Sequence, residues 1–254
     1  MATYKSIRYI VPVEAVEHTD SINALSDVDT NTTAPTDGQI LKWNNTNSKW
    51  YPGDVEEASG TQKAIFGFGR DDNNNTNVTN LVSSSGVMSS DVTGVGTSRD
   101  YLAASSYGGD KAIFGYGGEG NLTNVTNLVS NTGVVGSDQT GVGTERGYLA
   151  AACYGEDKGI FGFGNDNTSI TNLVSNLGVV ATDTTGVGSA ISNLGAAGYG
   201  GDKAIFGFGG GMVNYMFTVY NKTNLVSNTG VVSSDVTGVG TARSWAAASS
   251  YGGD

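Results

Sequence analysis

From residue 62 to residue 254 the apolar positions recur as short alternating runs, and no stretch shows a 3.6-residue period. The clearest run is KAIFGFG at Lys63–Gly69: Ala and Phe share one face and Ile takes the other, so both faces of a strand are partly buried. It is written four times, as KAIFGFG at 63, KAIFGYG at 111, KGIFGFG at 158 and KAIFGFG at 203. A small apolar run, YLAASSY (101–107), YLAAACY (148–154) or NLGAAGY (193–199), precedes the last three copies across a GGD or GED turn, and WAAASSY follows at 245–251. A third run, TNLVS, follows each copy at Thr79, Thr126, Thr171 and Thr223. A turn signal then leads to VMSSD, VVGSD, VVATD or VVSSD, and a return TGVGT or TGVGS leads to the next unit.

The units form an internal repeat, the feature that fixes the fold class. Phe66, Phe114, Phe161 and Phe206 are 48, 47 and 45 residues apart, yet each TNLVS asparagine lies 34 residues before the next of these phenylalanines. All length variation therefore sits between strand two and strand three, in slots of 9, 8, 6 and 13 residues (70–78, 118–125, 165–170 and 210–222). Insertions gathered in one slot mark a loop on one face, and often the binding face. Four short strands in about 47 residues describe a propeller blade. The fold expected is all-β, a β-propeller of four four-stranded repeats after a small N-terminal β segment, with a β-solenoid as the alternative. The array starts at strand two and stops after a lone strand one. A closed ring would join these ends in one composite blade and remove exposed edges; a piece of a longer array is the other reading.

The first 54 residues have a different texture. Met1–Val16 is rich in strand-favouring side chains; residues 18–38 are polar, with turn signals at Pro35 and Asp37-Gly38. QILKW and KWYPG at 39–53 read as a hairpin with Trp43 and Trp50 flanking the turn. A lone hairpin is marginal in water, so it implies a partner, most simply copies of itself. Residues 55–61 form a linker, and the β-repeat domain is 62–254.

Two resemblances are carried by these residues. The run Ser21–Asp54, with L-S-D-V, D-G-Q-I-L-K-W-N and K-W-Y-P-G, resembles a segment near the N-termini of bacteriophage tail fibre and related virion proteins, especially those of marine and cyanobacterial hosts. The resemblance implies residence in the virion, attachment to other virion proteins through residues 1–54, and a homotrimer. The repeats resemble the kelch family: Arg99, Arg146 and Arg243 match its arginine, Ile191 departs from it, the paired glycine is only partly kept and the late tryptophan is missing.

Composition narrows the function classes. A net charge of −11 with 13 scattered Lys and Arg speaks against nucleic acid. No run reaches the ~18 apolar residues of a membrane span, and no charged start precedes an apolar run as in a signal peptide. Gly and Pro, 39 and 3 residues, stay below a disordered composition. The single cysteine, Cys153, excludes internal disulfides and cysteine-rich metal sites, and no cofactor or metal is expected.

The aspartates Asp91, Asp138, Asp183 and Asp235, each in D-x-T-G, recur once per repeat. Recurrence suits a turn hydrogen bond made four times better than an asymmetric active site. The arginines read as packing between blades, and the only histidine, His18, lies outside the array. No enzyme is expected; a glycan-degrading one would need two carboxylates at a set separation. The candidate ligand face is the variable slot: Met212, Tyr215, Met216, Phe217 and Tyr220 in the longest loop, with Asp71, Asn74, Asn121 and Asp166 in the others. Exposed aromatics there suit a sugar face or a protein groove; the same loop would otherwise fold over the ring as a lid. The function expected is a tail fibre or appendage presenting these loops to a host-surface glycan or protein, with a decoration or spacer protein as the alternative.

Overall fold

The computed structural model describes residues 27–29, 36, 39–53, 62–72, 74–118, 120–165 and 168–252. The chain separates into two units, residues 1–61 and 62–254. The readings made of residues 1–16, His18 and Asp166 lie outside the described residues. Secondary structure in the described residues is β throughout.

In the first unit, β1 (Ile40–Asn44) pairs antiparallel with β2 (Lys49–Gly53), placing Trp43 opposite Trp50. Their rings meet edge to face at 5.4 Å, the favourable geometry for two quadrupoles. A third piece of chain joins through parallel bonds: Trp50 N–H donates to Asp27 O and Asp29 N–H to Trp50 O, at 2.6 and 2.7 Å.

The second unit is a row of antiparallel meanders. Repeat one holds β3 (Ala64–Gly67) and β4 (Thr79–Val82); repeat two holds β5 (Ala103–Tyr107), β6 (Lys111–Gly115) and β7 (Thr126–Val129). Repeat three holds β8 (Ala150–Tyr154), β9 (Lys158–Gly162) and β10 (Thr171–Val174). In repeat four, β11 (Gly195–Tyr199) and β12 (Lys203–Gly207) are completed by β15 (Thr223–Val226), and the insertion forms its own hairpin, β13 (Gly210–Val213) with β14 (Met216–Val219). Every ladder runs within a repeat, as in a blade; a β-solenoid would need ladders from one repeat to the next.

Two expectations need correction. The fourth strand of each repeat is not continuous: VVGSD touches β7 only at Val129↔Val135 and Thr126↔Gln139. Three steps along β7 face four along its partner, so one extra residue makes a β-bulge that breaks the ladder. The Asn127 side chain fills the break, its Nδ2 donating to Gly136 O at 3.1 Å and Asp138 Oδ1 at 2.9 Å. Nor do the ends of the array join. β3 pairs with β4 alone, and residues 246–250 lie beside β11 without forming a strand, Ser250 Oγ donating to Gly198 O.

The core lies between repeats. Phe114, Phe161 and Phe206 are at most 4% exposed, and each meets the aromatic residue that ends the preceding repeat's KAIFGFG run: Phe68, Tyr116 and Phe163, at 5.2, 5.2 and 5.1 Å. The tip of each ring also lies against a glycine of that repeat, Gly67, Gly115 or Gly162. A Cβ on Gly115 or Gly162 would come within 2.7 Å of the next ring, so no larger residue fits.

A buried arginine ties each of the first two boundaries. Arg99 stacks on Phe68 of repeat one and reaches into repeat two, where Nε donates to Tyr116 O at 2.8 Å and Nη2 to Asn127 Oδ1 at 2.7 Å. Its Nη1 returns to Thr97 O, and Thr97 in turn gives its backbone N–H and hydroxyl to Asp138. Arg146, Thr144, Asn172 and Asp183 repeat the circuit at the next boundary. Asp138, Asp183 and Asp235 thus lock one repeat to the return of the one before it, rather than capping a local turn. The second Gly of each of the first three returns (φ 79° at Gly143) must stay Gly, because a Cβ there would strike the next aspartate's carboxylate, Asp183 in the case of Gly143.

Burial pulls the Arg99 guanidinium down to about 10, against the pull of Asp138, so it stays charged at neutral pH. Burial pushes the Asp138 and Asp183 carboxyls up, but hydrogen bonds from Thr97 or Thr144 and from Asn127 or Asn172 outweigh it and hold both below the usual carboxylate range.

The third boundary solves the same problem with cation and aliphatic exchanged. Ile191 replaces the arginine and is buried, while Lys222 replaces the Val125 or Ile170 of the other repeats. The Lys222 ammonium sits 2.9 Å from Asp235 and donates to Ser189 Oγ at 2.6 Å. One acceptor is left over: Asn224 Oδ1, which an arginine would have satisfied, is buried without a partner.

The exchange predicts strong coupling. Ile191→Arg and Lys222→Val should each destabilise by about 1–3 kcal/mol, and the double variant should recover about 0.5–3 kcal/mol of their sum, read from urea unfolding midpoints. A second expectation concerns acid. A carboxylate whose folded pKa lies below its unfolded value of about 3.9 contributes stability above that value, lost as pH falls through the folded pKa. The unfolding midpoint should therefore drop below about pH 4, and Asp183→Asn should flatten that drop.

Candidate ligand-binding face

The loops between strands two and three leave the same end of every repeat, where strand one begins. Three slots close at their base with the same bond: Thr76 N–H to Gly69 O, Thr123 N–H to Gly117 O and Tyr220 N–H to Gly209 O, all 2.8–2.9 Å. The frame is thereby independent of what hangs between.

In repeat four the slot grows into the β13–β14 hairpin. Asn214 and Tyr215 both take positive φ, 49° and 63°, as a two-residue type I′ turn requires. Register then sorts the side chains. Met212 faces Phe217 across the hairpin and Val213 faces Met216; successive residues alternate faces, so these pairs lie on opposite sides. Met212 and Phe217 line a cleft of ≈ 520 Å³. Tyr215 stands at the tip, 98% exposed. Tyr220 turns inward against the repeat-four core, with the Lys222 ammonium 5.2 Å from its ring. The loop is a hairpin extension of the blade.

The described polar candidates, Asp71, Asn74 and Asn121, do not line this cleft. Asp71 spends its carboxylate on its own turn, accepting from Asn74 N–H at 2.7 Å, and Asn121 is an exposed turn residue of repeat two.

Three more walls, Tyr148, Asn193 and Trp245, come from runs that sequence reasoning took for a plain small apolar strand. The first residue of each strand-one run, Tyr101, Tyr148, Asn193 and Trp245, has φ of 53–60°. A left-handed conformation costs a non-glycine residue on the order of 1–3 kcal/mol. Backbone bonds link the four in a row: Tyr148 N–H to Tyr101 O, Asn193 N–H to Tyr148 O and Trp245 N–H to Asn193 O, at 3.0, 2.9 and 2.8 Å. Tyr101 and Tyr148 stack at 4.0 Å. At the third place the ring is replaced by Asn193, and the row opens there into the cleft.

Tyr148 and Trp245 flank that opening, with Asn165, Asn193, Met212 and Phe217 among its other walls. Asn193 Nδ2 donates to Ser192 Oγ, while its Oδ1 is buried and makes no hydrogen bond. The Asn165 carbonyl is taken by Gly147 N–H at 2.7 Å. Among the described residues the walls carry aromatic faces, amides and a hydroxyl, and no charged side chain. Such a surface stacks on and hydrogen-bonds to neutral polar molecules.

No protein-family model matches this sequence, and a search of curated proteins finds none that matches it.

Because Tyr215 touches solvent almost entirely, Tyr215→Ala should move the thermal melting midpoint by no more than about 0.5 kcal/mol equivalent. Phe217→Ala should likewise spare the array while widening the cleft, seen as altered emission of Trp245 against a Trp43→Phe/Trp50→Phe background.

Proposed function

We propose that this chain is a bacteriophage virion protein, a tail fibre or appendage, whose repeat array presents the Tyr148–Trp245 cleft to a neutral host-surface glycan. The observation that carries the binding reading is the orphaned Asn193 Oδ1 between two aromatic residues. A buried acceptor without a partner costs roughly 1–3 kcal/mol, and a sugar hydroxyl donating to it while the pyranose ring lies on Trp245 or Tyr148 removes that cost. The virion assignment is supported by the L-S-D-V, D-G-Q-I-L-K-W-N and K-W-Y-P-G motifs, whose resemblance also motivates a homotrimer attached through residues 1–54 to other virion proteins. The reading contains no catalysis, nucleic acid or membrane.

A decoration or spacer role without a host ligand is favoured by one observation, that the Asp71 carboxylate turns back onto its own loop and accepts from Asn74 N–H.

A glycan array probed with the full chain separates the two. Binding to neutral glycans that falls at least about tenfold in Asn193→Ala and Trp245→Ala, and persists in Tyr215→Ala, supports the cleft. No binding to any glycan, together with antibody labelling of residues 62–254 over the capsid or along a shaft, makes decoration the better account.

A further inference from the structure

Two side-chain amides line the cleft, and the way each is turned is fixed by its partner. Asn165 Oδ1 accepts from the Gly147 backbone N–H at 2.7 Å. A backbone N–H can only donate, so the oxygen must face it and Nδ2 is left over. Among the described residues that Nδ2 finds no acceptor. Asn193 is fixed by a proton count. The Ser192 hydroxyl has one proton, and Gly210 O takes it at 3.4 Å. The hydroxyl oxygen therefore accepts, and the Asn193 atom 3.1 Å from it is Nδ2. What remains is Oδ1, an acceptor shut away from water and without a partner.

The same cleft is apolar on its other walls, where Ile191 lies buried and Met212 and Phe217 face each other across the β13–β14 hairpin. One acceptor, one donor and an apolar wall are the complement of a secondary amide with a small alkyl end. Its N–H and carbonyl point to opposite edges of the trans amide plane, so one group answers an acceptor and a donor at once. A hydroxyl carries a second lone pair into the same apolar surroundings, and an ester carries no proton at all. Tyr148 and Trp245 meet edge to face at 5.9 Å over the place that Asn193 holds between them. A ligand therefore reaches Oδ1 by turning the Trp245 ring aside.

We propose that the cleft selects N-acetylated amino sugars. The acetamido N–H donates to Asn193 Oδ1, the acetamido carbonyl accepts from Asn165 Nδ2, and the methyl lies against Met212 and Phe217. This inference rests on the neutral-glycan reading and narrows it, from hexoses at large to those bearing an acetamido group. Selection comes as much from what the wrong sugar leaves undone as from what the right one makes. A 2-O-acetyl ester sets an oxygen lone pair against Oδ1, and an unsubstituted hexose leaves the apolar wall bare.

Saturation-transfer NMR titration of the full chain with three methyl glycosides, in the gluco and the galacto series, tests the selection: the 2-acetamido-2-deoxy sugar, its 2-O-acetyl counterpart and the unsubstituted hexose. In one series or both, the acetamido sugar should bind at least about tenfold more tightly than the other two. Its methyl should receive the strongest transfer, and Trp245 emission should change on binding in the Trp43→Phe/Trp50→Phe background. Asn193→Gly suits the left-handed backbone there, φ 55°, so its melting curve should hold while the acetamido sugar falls to the level of the ester. Equal affinity for the three sugars, a preference that survives in Asn193→Gly, or binding that leaves Trp245 emission unchanged overturns the acetamido proposal and leaves the glycan reading standing. Transfer to none of the sugars overturns the proposal too, and a silent glycan array overturns the glycan reading with it.

Discussion

A guanidinium buried between two sheets must satisfy its N–H groups without water, and that requirement organises the array. Arg99 and Arg146 each divide their donors between two repeats, and the acceptors they need define the neighbouring sequence: an asparagine in the third strand, a carbonyl at the end of the second, a threonine carbonyl in the return. The asparagine's own donors then call for the bulge carbonyl and the aspartate. What looks like a conservative motif is one closed circuit, and removing any member leaves another stranded at low dielectric.

The third boundary shows that the circuit constrains charge and volume more than identity. A cation entering from the preceding return becomes a cation entering from the next repeat, and an aliphatic side chain moves the opposite way. The exchange preserves the ion pair to the aspartate but not the shape of the guanidinium fork, and Asn224 Oδ1 is the remainder. The Lys222 ammonium serves Asp235 and Ser189 and does not extend to Asn224 Oδ1, as the fork of a guanidinium would.

Much of the frame was legible in the chain. The period, the strand positions, the turn residues and the location of every length change follow from alternation and from exact reuse of KAIFGFG and TNLVS. The fourth strand was misread because one inserted residue breaks a ladder without altering the apolar pattern around Val135 or Val180. The aspartates' role was hidden because their partners lie 39–46 residues away in the chain. In the cleft, Met212 and Phe217 stood out by composition, but Tyr148, Asn193 and Trp245 did not, since nothing in YLAAACY or NLGAAGY announces a left-handed first residue. One signal was available: the first residue of that run is aromatic in three repeats and asparagine in one.

Each repeat's packing contacts run to its neighbours, so cooperativity passes from one to the next as along a one-dimensional chain with unequal links. The link through Ile191 leaves Asn224 Oδ1 without a partner, where Arg99 and Arg146 satisfy the corresponding Asn127 and Asn172. Under mechanical load, that seam is where the row parts first, and the repeat beyond it carries the cleft's hairpin and Trp245. A tug transmitted along the array is thereby felt as a change in the cleft's own walls, so grip and strain meet at one joint.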